Sequence, residues 1–174
     1  MRPVLICGSP GCGKTTLCSK LAELDEKGVH LHTDDFFGYL AHKIDPSKPS
    51  SRAQNVTVVR AYCSAARAFV EDGYFVFVDG VIGPWLHSMI FSLLGPFDYI
   101  LLHASLPETL SRIANRSSQA SAHPSVAERM HQQFEDVLED YSANVIHSDQ
   151  YTTDELVGVV QARLRSGKCT ISDA

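Results

Sequence analysis

The residues from Gly8 to Thr15 read G-S-P-G-C-G-K-T and match the pattern G-x-x-x-x-G-K-[ST] at every fixed position. This pattern is typical of a loop whose backbone N–H groups surround phosphate oxygens, because glycine lets the chain turn closely round an anion. The Lys14 ammonium is expected to reach the β- and γ-phosphates of a nucleotide, and the Thr15 hydroxyl to ligate Mg²⁺. The predicted nucleotide-binding residues of the loop are Gly8, Ser9, Pro10, Gly11, Cys12, Gly13, Lys14, Thr15 and Thr16.

The segments on either side of this loop have the composition that such a loop requires. Residues 4–7 are an apolar run typical of a buried strand, and residues 16–22 are compatible with a helix. A strand, a glycine-rich loop and a helix N-terminus bring the loop amides and the positive end of the helix dipole to the same anion. The context therefore favours a phosphate-binding loop over a chance match.

Two groups of carboxylates follow predicted strands. Asp34 and Asp35 come after residues 29–32, and Asp79 comes after residues 75–78. Ligands of parallel sheets bind beyond the carboxyl ends of the strands, so both groups are expected on the same edge as the loop. We expect Asp79 to hold Mg²⁺ and Asp34 or Asp35, with Asp34 the first choice, to accept the proton of an attacking hydroxyl. The alternative that one of the pair only caps a turn stays open.

Two arginines follow the next predicted strand. Arg112 and Arg116 are four residues apart and so share one face of a predicted helix. A small lid is expected around residues 116–125, and closing an arginine-bearing flap over ATP would supply charge to the transferring phosphoryl group and exclude water. Both arginines are predicted to bind the nucleotide, Arg116 also as a catalytic residue. Whether Arg129 contacts the nucleotide is left open.

The candidate acceptor-binding residues are scattered along the chain. Arg52, Asn55 and Arg60 lie at or just inside a long predicted helix, where they could bind an anionic or polyhydroxylated acceptor. Phe36 and Trp85 are candidate pocket walls. A surface role for Arg52 and a core role for Trp85 are the alternatives. The acceptor-side residues predicted in this way are Asp34, Phe36, Arg52, Asn55, Arg60, Asp79 and Trp85.

Composition limits the classes of protein and partner. The 174 residues are 44% hydrophobic and 20% charged, which is typical of one globular domain, and the net charge of −5 argues against nucleic acid as a main partner. No apolar run approaches the length of a membrane-spanning helix, and we expect no signal peptide, since the first predicted strand begins at residue 4. Five cysteines without a C-x-x-C pair indicate a reduced, cytoplasmic protein.

Apolar strand-like runs alternate with helical patterns, which predicts an α/β domain with a parallel sheet. His30 and His32, on the second strand, are expected to be structural, since no matching Cys/His spacing occurs elsewhere. Strands are predicted at residues 4–7, 29–32, 75–78, 99–102 and 144–147. Helices are predicted at residues 14–24, 55–71, 84–94, 126–141 and 153–165, and a further helix is predicted to begin near residue 107. Residues 45–51 are predicted to form an exposed loop, and residues 167–174 a frayed end.

Taken in order, these motifs resemble the small P-loop kinases that act on metabolites, among them gluconate kinase, shikimate kinase, uridine kinase and chloramphenicol phosphotransferase. The arrangement Asp34-x-Phe36 resembles the acceptor motif of the uridine kinase and zeta-toxin-like groups, in which the aspartate contacts the substrate hydroxyl. Residues 130–135 are similar to the post-lid helix of gluconate kinases. The resemblance implies a single P-loop NTPase domain over residues 1–174, with three layers, a five-stranded parallel sheet of order 2-3-1-4-5, helices on both faces and a short lid.

The resemblance also implies ATP and Mg²⁺ and a transfer of the γ-phosphoryl group of ATP to a small hydroxyl-bearing metabolite, by a monomer or homodimer. One alternative is a nucleoside monophosphate kinase of the cytidylate kinase type. The carboxylate pair argues against it, because an acceptor phosphate is already ionised and would be repelled, whereas Arg52 and Arg60 support it. A further alternative is a nucleotide-binding regulatory ATPase or GTPase without a small-molecule acceptor; the sequence has no N-K-x-D signature for guanine.

Overall fold

The fold is built on one sheet, seen in a computed structural model that describes residues 1–115 and 124–172. Its strands are β1 (Val4–Cys7), β2 (Gly28–His32), β3 (Phe75–Gly80), β4 (Phe97–His103), β5 (Val145–His147) and β6 (Thr170–Ile171). The first five are parallel and lie in the order β2-β3-β1-β4-β5. The predicted α/β P-loop fold and the predicted strand order are therefore confirmed.

Helices connect the strands and cover both faces of the sheet. They are α1 (Lys14–Glu23), α2 (Thr33–Gly38), α3 (Arg52–Glu71), α4 (His87–Leu94), α5 (Leu106–Ala114), α6 (Pro124–Glu135) and α7 (Thr153–Ser166), with 3₁₀ turns at Pro49–Ser51, Pro84–Leu86 and Ser148–Gln150. This arrangement agrees with the alternation of strand-like and helical segments in the sequence, because two parallel strands must be joined by a crossover connection, which is usually a helix.

Alternating side chains along β1 divide the core between the two faces of the sheet. Leu5 and Cys7 belong to one buried cluster, which includes Tyr62 of α3. Ile6 belongs to the other cluster, which includes Leu17 of α1. Apolar layers on both faces explain why the strands read as apolar runs, and they leave the strand ends as the place for polar groups.

The end of the chain differs from the predicted frayed segment 167–174. Residues 170–171 form β6, which pairs antiparallel with the start of β4, and the Thr170 hydroxyl donates to Asp98 Oδ1 at 2.6 Å. The reason lies in the short β5, which pairs β4 only from Leu101 onward. The first half of β4 would otherwise be an open sheet edge, and β6 covers it.

Two further segments differ from their predicted conformations. Residues 33–38, for which no element was predicted, form α2, and α6 ends at Glu135 rather than at residue 141. After α6 the Val137 and Leu138 amides donate to carbonyls three residues back. These turns keep their apolar side chains against the core, so periodicity alone predicted a longer helix.

The predicted lid falls mostly outside the described residues. Residues 116–123, which include Arg116, are not described, and residues 124 and 125 begin α6. Within the described part of the chain, no helix is both long and apolar enough to cross a membrane.

Candidate active site

The segment from Gly8 to Gly13 forms a loop between β1 and α1, as the motif predicts. Its glycines at positions 8, 11 and 13 have φ angles of 140°, 91° and 99°, values that residues other than glycine rarely adopt. A Cβ atom on Gly8 would lie 2.1 Å from the Leu102 carbonyl oxygen. Glycine at this position therefore lets the loop lie directly against β4.

The loop ends at the N-terminus of α1, where Gly13 caps the helix without a side-chain hydrogen bond. The first amides of α1 thus remain available to an anion, and the helix dipole favours negative charge there. Lys14 is buried, and its Nζ donates to the Ser9 carbonyl at 2.9 Å. A cation, free amides and a glycine loop are together the components of a phosphate site.

Asp79, the next to last residue of β3, lies beside the loop and is fully buried. The Thr15 hydroxyl donates to its Oδ2 at 2.6 Å. His30 Nε2 and His32 Nδ1 lie 2.7 and 2.9 Å from its Oδ1. Burial by itself would raise the pKa of Asp79, but the hydrogen bonds from His30, His32 and Thr15 outweigh it and hold the pKa well below its usual range.

The two histidines are the site residues whose place the sequence analysis missed. His30 and His32 are two residues apart on β2, so their side chains point to the same face of the sheet. His32 is in register with Asp79 on the neighbouring strand β3. The spacing of two residues on a predicted strand did indicate that the two side chains share a face. It could not indicate that they contact Asp79, because that depends on which strand lies beside β2.

The donor atoms at this point suit a hard cation such as Mg²⁺. A carboxylate and a threonine hydroxyl, 2.6 Å apart, are oxygen ligands of the kind that Mg²⁺ takes. Cys18 of α1 has its sulfur within 4.8 Å of ligand atoms of His30 and Asp79. Burial raises the pKa of the Cys18 thiol well above its usual value, so this side chain stays protonated and is a poor ligand for a hard cation.

Asp34 and Asp35 lie in the first turn of α2, and both are exposed. The side chain of Asp34 is 73% exposed, and its Oδ2 is 3.7 Å from His32 Nε2. His32 therefore stands between the buried carboxylate of Asp79 and the exposed carboxylate of Asp34. Its hydrogen bond with Asp79 raises the pKa of His32, against the effect of burial, and the charges of Asp34 and Asp35 act in the same direction.

The aromatic side chains near α2 lie beside the same edge of the sheet. The ring of Phe36 packs edge-on against Tyr62 and Tyr39, with centroids 6.2 and 5.8 Å apart. Tyr39 is 79% exposed and Trp85 is 54% exposed, so the core role considered for Trp85 is wrong. Trp85 packs on Phe134 of α6 with ring centroids 5.7 Å apart.

Three polar residues were predicted near the start of α3. Arg52 and Arg60 are exposed, whereas Asn55 is partly buried. The Asn55 amide donates to the Pro46 carbonyl at 2.8 Å and to the Ser51 hydroxyl at 3.0 Å. Asn55 thus fastens the mostly exposed loop of residues 45–51 to α3.

Arg112 of α5 lies close to the phosphate loop. Its Nε donates to Glu108 at 2.7 Å, and its Nη1 is 4.0 Å from the position that a Cβ on Gly13 would take. A cleft beside the loop is lined by Gly11, Gly13, Thr16, Arg112, Ser148 and Tyr151.

Arg129, whose role the sequence left open, is an exposed residue of α6. The amide and hydroxyl of Ser47 lower the pKa of Asp45, and the charge of Arg129 adds to this effect. The charge of Arg129 thus reaches Asp45 in the loop of residues 45–51.

A family model described as "AAA domain" matches residues 4–136. A search of curated proteins finds no significant match.

Solved structures similar to this chain include three bacterial proteins. A sugar kinase from Janibacter sp. HTCC2649 has a TM-score of 0.67 at 14% identity, with 95% of each chain covered. A gluconokinase from Sinorhizobium meliloti 1021 has a TM-score of 0.68 at 14% identity, covering 95% of this chain and 92% of that one. The tunicamycin resistance protein of Deinococcus radiodurans has a TM-score of 0.67 at 17% identity, covering 94% and 96%. At these identities the likeness establishes the fold.

Proposed function

Because the chain belongs to the AAA domain family, we propose that its phosphate loop binds ATP and that the protein transfers the γ-phosphoryl group to a hydroxyl of a small molecule. One observation carries the proposal. His32 contacts Asp79 beside the loop at 2.9 Å and approaches the exposed Asp34 at 3.7 Å. A site that only binds a nucleotide has no need of this second carboxylate, whereas a transferase can use it to accept the proton of the attacking hydroxyl.

The donor half would consist of the loop and the cleft beside it. The free amides of α1 and the ammonium of Lys14 would bind the β- and γ-phosphates. Thr16 and Arg112 line the cleft beside the loop, where the guanidinium could stack on the adenine base. Arg116 remains a proposed nucleotide ligand and catalytic residue on the grounds of its sequence alone.

Thr15 and Asp79 are the residues that would hold Mg²⁺. When bound, this ion neutralises charge on the β- and γ-phosphates. His30 and His32 fix the Asp79 carboxylate in one orientation and keep it ionised, so that the oxygen pair needs no rearrangement.

Asp34 would serve as the general base. The acceptor oxygen attacks the γ-phosphorus, the bond from that phosphorus to the β–γ bridging oxygen breaks, and ADP leaves with the bond electrons. The acceptor proton passes to a carboxylate oxygen of Asp34. The Asp34 carboxylate is exposed to a substrate that enters from solvent, and it lies 3.7 Å from the His32 imidazole.

The acceptor would lie against the exposed rings of Tyr39 and Trp85 and the edge of Phe36. Arg52 and Arg60 on α3 would favour an acceptor with negative or polyhydroxylated groups. The same two arginines keep a nucleoside monophosphate as a second candidate acceptor, because their charge could offset the repulsion by Asp34 and Asp35.

The test is an acceptor screen with ATP and Mg²⁺. Nucleosides, nucleoside monophosphates, sugar acids and aminoglycoside- or amphenicol-type antibiotics are incubated with the protein, and ADP release and phosphorylated products are measured. We expect one class to raise ADP release well above background, and the Lys14→Ala variant to abolish the increase. If no acceptor raises ADP release although ATP binds, the transferase proposal is wrong and a regulatory ATPase is the better description.

A further inference from the structure

A second group of histidine and carboxylate side chains lies at the end of β4, apart from Asp79. It consists of His103, the last residue of β4, with His131 and Glu135 of α6. Among the described residues, one ligand atom from each of these three lies within 4.8 Å of the other two. We propose that His103, His131 and Glu135 form a binding site for a divalent transition-metal ion of the zinc class.

The three side chains converge for structural reasons. His131 and Glu135 are four residues apart on α6, so they project from the same face of the helix. His103 Nε2 is 3.1 Å from Glu135 Oε1, and His131 Nε2 is 3.9 Å from the same oxygen. The rings of His103 and His131 have their centroids 4.9 Å apart. One carboxylate oxygen therefore faces two imidazoles.

The spacing fits a tetrahedral ion. Zinc bonds to imidazole nitrogen and carboxylate oxygen at about 2.0–2.2 Å, which separates tetrahedral ligand atoms by about 3.4 Å. The observed separations of 3.1 and 3.9 Å lie on either side of this value. Small rotations of the side chains would be sufficient to bring all three ligand atoms to the ion.

The surroundings of the two histidines differ from those of surface side chains. His103 and His131 are each only 7% exposed, whereas the side chain of Glu135 is 40% exposed. His131 Nε2 donates to the Ala104 carbonyl at 2.9 Å, so an ion bound through this nitrogen would replace that hydrogen bond. The exposed side at Glu135 would admit the ion and a water molecule.

The donor set selects the class of ion. Two imidazoles and one carboxylate suit zinc and its neighbours in the first transition row, whereas Mg²⁺ prefers oxygen ligands alone. Three protein ligands leave a fourth position for water or for His147, whose ring is 5.5 Å from that of His103.

The bound ion would join α6 to the sheet next to the phosphate loop. The Ser148 hydroxyl lies 3.2 Å from the His103 carbonyl and 2.8 Å from the Cys12 carbonyl of the loop. Ser148 therefore links His103, a proposed metal ligand, to Cys12 in the phosphate loop. The proposal does not depend on the reaction proposed above, because metal binding can be measured without nucleotide or acceptor.

The test titrates the chelator-treated full chain with Zn²⁺ by calorimetry and with Co²⁺ by visible absorption. We expect one equivalent of tight binding, a tetrahedral cobalt spectrum without a thiolate band, and a higher unfolding temperature with Zn²⁺. The same titration on Asp79→Asn removes the other donor group, formed by Cys18, His30 and Asp79. Tight binding should persist there.

The deciding variants are Glu135→Gln and His131→Gln, each with its circular dichroism compared with the parent. Each should weaken Zn²⁺ binding by more than the roughly 10–100-fold typical of outer-shell changes. The matched controls Glu139→Gln and His42→Gln change exposed residues of the same types and should leave affinity within about twofold. Absence of tight binding in the parent, survival of binding in both deciding variants, or its loss in Asp79→Asn would each overturn the proposal.

Discussion

The two halves of the candidate active site are built in different ways. On the donor side Lys14 and Asp79 are buried, and each has hydrogen bonds within the described structure. On the proposed acceptor side Asp34, Tyr39 and Trp85 are exposed, and within the described part of the chain Asp34 is paired only with His32, at 3.7 Å. A buried network whose polar atoms are hydrogen-bonded is held in one geometry, which suits a ligand that is the same in every reaction. Exposed side chains suit a ligand that buries them when it binds.

The largest expected effect tests the acceptor side. If Asp34 is the general base, Asp34→Asn should lower kcat by about 10²–10⁴-fold while ATP affinity stays within about twofold. The matched variant Asp35→Asn should retain most of the activity, because Asp35 has no corresponding contact with His32. Steady-state kinetics and ATP titration measure both. Equal losses in the two variants would mean that the pair acts only through its charge.

The next effect tests the donor side. Lys14→Ala removes the buried ammonium and should lower kcat by about 10²–10³-fold, since one positioned donor to a developing charge is worth that much. The control is Lys20→Ala, which removes a partly exposed lysine of the same helix that pairs with Asp154. Kinetics with saturating ATP should show no more than a small change for the control. A mild effect of Lys14→Ala would contradict the role of the loop in catalysis.

The dependence of stability on pH should come in part from a buried histidine that belongs to neither half of the site. Burial lowers the pKa of His87, at the start of α4, to about 4, and its Nε2 has no hydrogen-bond partner among the described residues. The unfolded chain therefore binds more protons than the folded one between about pH 6.5 and pH 4, so stability falls as the pH falls through this window. The loss from this group is at most about 3 kcal/mol.

Denaturant unfolding at pH 7 and pH 4.5, with His87→Phe for comparison, measures this contribution. The variant should lose less stability on acidification than the parent, because it has no imidazole to protonate. Asp79 also loses its contribution to stability on acidification, but at lower pH: its pKa is depressed, so the contribution is complete above the usual carboxyl pKa and is lost as the pH falls below it. An identical acid response in parent and variant would contradict the assignment to His87.

The smallest expected effect concerns the pocket walls. Trp85→Ala should raise the KM for the acceptor several-fold and leave the KM for ATP unchanged, since an aromatic contact is worth about 0.5–1.5 kcal/mol beyond its buried area. Phe75→Ala is the control, because Phe75 is an exposed aromatic residue at the opposite end of β3. A change in the ATP constant alone would place Trp85 on the donor side and remove the distinction between the halves.

The sequence predicted the parts of the molecule that depend on neighbours along the chain. The phosphate loop lies within eight consecutive residues, and its flanking strand and helix follow from local composition. The strand order followed from the resemblance to P-loop kinases. The β6 strand could not be predicted, because its formation depends on the short β5 leaving half of β4 unpaired.

Local sequence was sufficient to predict a phosphate loop, an α/β fold and a set of carboxylates that follow strands. Which side chains share a site depends on how the strands and helices pack. Contact between His32 and Asp79 spans 47 residues, and the group of His103, His131 and Glu135 joins a strand end to a separate helix. Such contacts depend on strand register and helix packing, which local patterns in the sequence do not encode. The distinction between Asp34 and Asp35 has the same origin, since one turn of α2 brings only the first of them near His32.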